Sequence, residues 1–318
     1  MKSRIPSVAV VLLSLACNDG IRANPAMPSQ QIEPIQIDPL GGPTGGVKQQ
    51  VDLSMWSPYI VVHTPGEALR AYQKVIPELM ASGALRGVRI GIYKGEGRNF
   101  VNAWISSVVP DVLWILDNYY LFDPNIEDVI DQVFSWYPTI HYLQIGNETT
   151  TILPKAGPQI PIEMYMEVFE KINAYVQRRY PGVVLLTQST FGSGSRSSVE
   201  LERMIELGLK EITPRPIIIV SMNVYSISNA NQNSYVVNSS LRGYRIWVTE
   251  SGVNDPSRHI GYVQRVYPFI RNTLRAERIY WYCLYCGESG GDSGFGLIRD
   301  IMALTIWTSL LYNALTGR

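Results

Sequence analysis

Histidine and cysteine are scarce in this chain of 318 residues, with three of each. That excludes a disulfide-rich scaffold and leaves little from which to build a zinc site. An excess of charge is missing too: 27 basic residues face 27 acidic ones, so there is no electrostatic footprint for nucleic acid or an anionic membrane. Nor is there a long hydrophobic run, since the N-terminal apolar stretch Val8 to Ala16 is far too short to span a bilayer. No glycine fingerprint follows the first predicted strand, so a nucleotide cofactor is not implied, and no other cofactor or metal is. What is abundant is aromatic, with 19 Tyr and 7 Trp. Sugar-binding clefts use such rings as stacking platforms, although most rings in any chain fill core and surface.

The N-terminus has the make-up of an export signal, residues 1–17: Lys2 and Arg4 precede the short apolar run. Leu13-Ser14-Leu15-Ala16-Cys17 is similar to a bacterial lipoprotein box, with Ser14 where a leucine is expected. Cleavage before Cys17 would place a lipid anchor there, the one membrane contact expected. Cleavage near Ala23 to Ala26 is the competing reading. Either way the protein is expected to be secreted or held in the cell envelope. Residues 18–50 carry Pro25, Pro28, Pro34, Pro39 and Pro43 with two glycine pairs, the composition of a tether.

From residue 51 to 318 the chain alternates strand and helix. Strand patterns fall within 51–63, then at 87–93, 112–118, 141–147, 183–190, 217–225, 245–250 and 278–285. Helical patterns lie at 66–82, 99–107, 125–136, 161–179, 196–210, 256–275 and 300–316. The segment Asn229 to Ser240 is so rich in Asn and Ser that it reads as loop with at most a short helix. Eight strands with seven or eight helices predict an α/β fold, the (β/α)8 TIM barrel, in one catalytic domain. Cys283 and Cys286 fall on the eighth strand. An extended chain would hold their Cα atoms about 10 Å apart, too far for a disulfide. His63, His141 and His259 lack metal spacing, so both cysteines are expected to be small core residues.

Two glutamates each close an apolar strand: His141-Tyr142-Leu143-Gln144-Ile145-Gly146-Asn147-Glu148 and Tyr244-Arg245-Ile246-Trp247-Val248-Thr249-Glu250. Carboxylates at the C-terminal tips of barrel strands lie where such barrels keep their chemistry. Two of them across one cleft are what glycoside hydrolysis requires. With Asn147-Glu148 on the fourth strand and Glu250 on the seventh, the chain resembles clan GH-A, the cellulase-like retaining glycoside hydrolases, from about residue 51 to the end.

The resemblance implies that Glu148 is the general acid/base and Glu250 the nucleophile. Asn147 would bind the sugar 2-hydroxyl. Arg89 on strand two and Tyr225 on strand six would hold the nucleophile, and Trp281 or Tyr285 would supply the strand-eight platform. Asn118, at the end of strand three, and Asn223, on strand six, stand where the clan often has histidine. Tyr59, Tyr119 and Tyr120 are further expected at the strand tips. Short βα loops favour an open groove and internal cleavage of a poly- or oligosaccharide by a monomer. A non-catalytic carbohydrate-binding barrel is the alternative, and an unrelated barrel hydrolase or lyase a weaker one.

Other signals carry less. Gly291-Asp292-Ser293-Gly294 lacks a supporting histidine, and Gly192-Ser193-Gly194 reads as a flexible cleft-side loop. Asp117 and Asp123, near the end of the third strand, read as loop and helix-cap carboxylates, with a place in the cleft lining as the alternative. A glycan on the sequon Asn147-Glu148-Thr149 would block the site.

Overall fold

The structure is a computed structural model that describes residues 54–151, 158–192, 196–212 and 218–318. The expected signal, Cys17 and the tether lie outside the described residues, as do Ser193 and Gly194. Eight parallel strands close into a barrel: β1 (Tyr59–Val61), β2 (Gly87–Ile92), β3 (Asp111–Leu116), β4 (Tyr142–Ile145), β5 (Val184–Leu186), β6 (Ile218–Asn223), β7 (Arg245–Ser251) and β8 (Ala276–Trp281). Pairing of Tyr59 with Tyr280 and of Ile60 with Trp281 shuts the ring. Strands such as β2, Gly-Val-Arg-Ile-Gly-Ile, are buried along their whole length because side chains on both faces are covered.

The helices around the barrel are α1 (Leu69–Ala81), α2 (Phe100–Val108), α3 (Ile126–Trp136), α4 (Ile162–Arg179), α5 (Arg196–Glu206), α6 (Ile227–Asn238), α7 (His259–Leu274) and α8 (Leu310–Thr316). Each buries a stripe at helical spacing; in α3 it is Ile126, Val129, Ile130, Val133 and Phe134. The full helix α6 corrects the reading of Asn229 to Ser240 as loop. Ser226 caps it by accepting from the Asn229 N–H, and the buried Asn233 amide donates to the Asn229 carbonyl at 3.0 Å. Asn238 likewise donates to the Ser234 carbonyl at 2.9 Å, so these side chains bond back along the helix they belong to. In turn α8 is shorter than the pattern at 300–316, because β9 (Ile298–Arg299) and β10 (Trp307–Thr308) form a small antiparallel ribbon before it.

Inside the barrel, Leu113, Leu186, Ile219, Trp247 and Tyr280 form one apolar layer; a second, larger core fills the space between strands and helices. Below the inner layer the Arg278 guanidinium lies 3.8 Å from the Trp247 ring centre and 4.7 Å and 4.8 Å from those of Tyr59 and Tyr142. It donates to Asp111 at 2.7 Å. Tyr59 therefore belongs to the bottom of the barrel and not to the strand tips. Above the layer the interior turns polar, with Arg89, Gln144, Asn223 and Glu250 all buried. Among the described residues no helix is long and apolar enough to cross a membrane.

Candidate active site

The polar end opens into a cavity of about 690 Å³, a size usual for small-molecule sites. Glu148 and Glu250 both line it. The two are positioned differently. β4 stops at Ile145, and Gly146 then takes a φ of 75°, where a Cβ would meet the Thr149 methyl at 2.8 Å and the Asn118 amide oxygen at 2.9 Å. Only glycine fits that turn. Glu148 itself has a φ of 46°, a left-handed conformation that costs a non-glycine residue on the order of 1 kcal/mol. Backbone bonds hold it there: its N–H donates to the Ser189 carbonyl, and its carbonyl accepts from the Thr151 N–H, each at 2.9 Å.

Asn118 completes the turn. Its amide nitrogen donates to the Asn147 carbonyl and its amide oxygen accepts from the Asn147 N–H, both at 2.8 Å. The residue found where the clan often has histidine is thus a clamp on the backbone next to Glu148.

Arg89 organises the opposite wall. It is fully buried, and each of its three nitrogens has a partner: Nε donates to Gln144 Oε1 at 3.1 Å, Nη1 to Glu250 Oε1 at 2.5 Å and Nη2 to Asn147 Oδ1 at 2.7 Å. The Tyr225 hydroxyl donates to the other Glu250 oxygen at 2.6 Å. Burial, with the Glu250 charge beside it, drives the Tyr225 phenol well above its ordinary range, so it stays a donor. A register shift between Met222 and Asn223 brings Asn223 opposite Glu250 across the β6–β7 pair. From there the Asn223 amide donates to Glu148 Oε1 at 2.7 Å.

The two carboxylates differ in surroundings. Glu148 has no cationic hydrogen-bond partner among the described contacts, and its pKa is pushed up to about 7, first by burial and then by the Glu250 charge. The Asn223 bond opposes that rise without cancelling it. Glu250 instead has an arginine and a tyrosine on its two oxygens.

Neither residue expected as the strand-eight platform, Trp281 or Tyr285, lines the cavity. Trp281 is fully buried on the helix side, packed on Trp56, Tyr262, Tyr267 and His259, and its indole N–H donates to the Phe295 carbonyl at 3.0 Å. Tyr285 is buried and does not line the cavity, nor does Tyr120, whose hydroxyl donates to the Tyr93 carbonyl at 3.4 Å. The ring beside the carboxylates is Tyr282, edge-on to His63 at 5.5 Å and to Tyr225 at 6.4 Å. Alternation explains the correction: Tyr280 points into the barrel, so Trp281 points out and Tyr282 points in again. Reasoning by strand parity would have found it. Tyr93, Phe191 and Phe295 also line the cavity and were not legible as site residues, whereas the expected Tyr119 does line it.

Asp117 reaches the cavity as well. Its carboxylate accepts from the N–H groups of Lys94 and Tyr119, and burial raises its pKa. His63, in the same wall, has its pKa lowered by burial, which favours the neutral imidazole. The expectation that Cys283 and Cys286 cannot pair is overturned: their sulfurs are bonded and their Cα atoms are 5.9 Å apart. β8 ends at Trp281, so the chain from Tyr282 onward turns and does not extend. His63 and the two cysteines form the one group among the described residues whose ligand atoms gather within 4.8 Å. With the sulfurs joined to each other, neither is a thiolate able to hold a metal.

No family model and no curated protein matches this sequence. Solved structures do. An endo-1,4-β-mannanase from Rhizomucor miehei matches over 83% of this chain and 95% of its own, with a TM-score of 0.53 at 11% identity. An endo-β1,6-glucanase matches over 82% and 74%, with a TM-score of 0.57 at 9% identity. A cellulose synthase subunit Z from Clostridioides difficile matches over 81% and 99%, with a TM-score of 0.51 at 13% identity. The share of the other chain that is spanned ranges from 42% to 99%, and is 60% for the N2152 structure from Neocallimastix frontalis. At these identities the likeness is one of fold, the eight-stranded parallel barrel.

Proposed function

We propose that this protein is a retaining glycoside hydrolase acting on a β-linked poly- or oligosaccharide. The observation that carries the reading is the pairing of two unlike carboxylates in one cavity: Glu148 pushed up to about 7, and Glu250 held by Arg89 and Tyr225. Neighbours of the same fold that are named as a mannanase and a glucanase support glycan cleavage in general.

In the first step Glu148 gives its proton to the glycosidic oxygen as a Glu250 oxygen attacks the anomeric carbon. The C–O bond to the leaving sugar breaks and an ester to Glu250 forms. Esterification removes the Glu250 charge and with it the repulsion on Glu148, now a carboxylate. Glu148 then takes a proton from water as that water attacks the anomeric carbon and releases Glu250. Arg89 and Tyr225 stabilise the carboxylate when it departs, and Asn147, whose amide oxygen is occupied by Arg89, has its amide nitrogen left for the sugar 2-hydroxyl. Tyr282 supplies the apolar ring against the sugar.

The test is hydrolysis of chromogenic aryl β-glycosides by the wild type and by Glu250→Ala, with and without azide. The expected result is loss of turnover in the variant and its rescue by azide to give the inverted azido-sugar. Binding of oligosaccharide with no turnover by the wild type would instead support a carbohydrate-binding barrel. Turnover that survives Glu250→Ala would remove the nucleophile. A panel of soluble β-glucans, mannans, xylans and galactans then identifies the substrate.

A further inference from the structure

Beneath the cavity floor a line of buried polar side chains joins the arginine of one carboxylate to the amide of the other. Gln144, Ser189, Thr249 and Asn223 are each completely buried, and none of Gln144, Ser189 and Thr249 lines the cavity. The contacts run Arg89 Nε to Gln144 Oε1 at 3.1 Å, Gln144 Nε2 to Ser189 Oγ at 3.0 Å, Ser189 Oγ to Thr249 Oγ1 in a short contact, Thr249 Oγ1 to Asn223 Oδ1 at 3.1 Å, and Asn223 Nδ2 to Glu148 Oε1 at 2.7 Å.

The donor sense is fixed at the Arg89 end, and one sense along the rest of the line uses every hydrogen. A guanidinium has no acceptor, so Gln144 must turn its oxygen to Arg89. Its NH₂ group then supplies one hydrogen to the Gly146 carbonyl at 2.8 Å and the other to Ser189. Ser189 accepts that hydrogen; either hydroxyl could donate in its contact with Thr249, and the sense in which Ser189 donates leaves the Thr249 hydrogen for another acceptor. Thr249, having accepted from Ser189, gives its single hydrogen to Asn223, whose oxygen at 3.1 Å is nearer than the other acceptor in reach, the Met222 carbonyl at 3.4 Å. Asn223 is left with its oxygen engaged below and its NH₂ aimed at Glu148.

We propose that Gln144, Ser189 and Thr249 are positioning residues that transmit the fixed donor sense of Arg89 to Asn223, so that Asn223 presents N–H and never C=O to Glu148. The inference rests on the roles given above to Glu148 and Glu250. Its consequence is chemical. An amide free to rotate could offer its oxygen to the protonated acid and hold the proton back. The locked amide favours the carboxylate in both halves of the reaction, which keeps the acid from becoming too weak to release its proton.

The test is a carboxyl ¹³C titration of Glu148 by NMR, assigned through loss of the signal in Glu148→Gln, beside the pH dependence of kcat/KM. Thr249→Val removes the hydroxyl at nearly constant shape. The Glu148 midpoint and the alkaline limb of the rate should both move up by roughly half a unit to one unit. Thr249→Ser should restore the wild-type position, and Ser189→Ala should give a smaller upward shift. A merely structural role would lower the melting temperature and leave the midpoint in place. Unshifted midpoints in both Thr249→Val and Ser189→Ala overturn the proposal. A shifted midpoint in a protein that cleaves no β-glycoside leaves the relay standing and removes the hydrolase reading.

Discussion

Arg89 Nη1 and Glu250 Oε1 are 2.5 Å apart, with side chains only 1% and 9% exposed. Such a pair is held in place by its own partners, because either member alone would be a charge stranded from water. Arg89→Met is therefore expected to destabilise the fold by about 3–5 kcal/mol and to lower kcat/KM by roughly 10²–10³-fold. Adding Glu250→Gln should recover much of the stability and none of the activity. Urea unfolding of the two single variants and the double variant measures the coupling.

Glu148 gives a pH dependence whose sign is fixed. Its pKa of about 7 lies above the ordinary 4.5, so the folded state binds more protons than the unfolded chain between those values. Stability from this group falls as pH rises through that window, by about 3 kcal/mol once pH exceeds 7. Glu148→Gln should therefore raise stability at pH 8 and leave it unchanged near pH 4. In the wild type the same proton loss should cut kcat/KM about tenfold per unit above pH 7. Denaturation at the two pH values, with a pH–rate profile, checks both.

Tyr225→Phe removes one donor to Glu250 and little volume. A hydrogen bond to a charged group contributes about 1.5–3 kcal/mol, so a loss of roughly 10–150-fold in kcat is expected with the fold intact. Steady-state kinetics and circular dichroism separate the two effects.

Tyr282 and Trp281 should part company. Tyr282→Ala is expected to raise KM for oligosaccharides while changing the melting temperature little. Trp281→Ala should cost about 3–5 kcal/mol by opening a cavity among Trp56, Tyr262 and Tyr267. Melting curves and saturation kinetics on both variants decide which ring meets substrate.

Glu148, Glu250, Arg89, Asn147 and Tyr225 line one cavity, and they could be picked out in the sequence because each sits on or just past a strand whose apolar run is plain to read. The barrel was legible for the same reason. Trp281 was expected in the cavity and Tyr282 lines it instead, because a run of aromatics hides which face each one takes and parity had to be counted from Tyr280. Asn118 and Asn223 were noticed as replacements for histidine, yet their work, clamping the Asn147 backbone and donating to Glu148, depends on pairings across 29 and 75 positions. No local pattern encodes those. The disulfide was missed because the end of β8 was drawn too late.

The Arg278 plug between Tyr59, Tyr142 and Trp247 lies at the end of the barrel away from the carboxylates. Cation–ring attraction there, joined to the Asp111 contact, anchors strand beginnings drawn from four separate parts of the sequence. The cavity with the two carboxylates lies at the other rim, away from this anchor. Loops at that rim are therefore open to change that leaves the foundation of the scaffold intact.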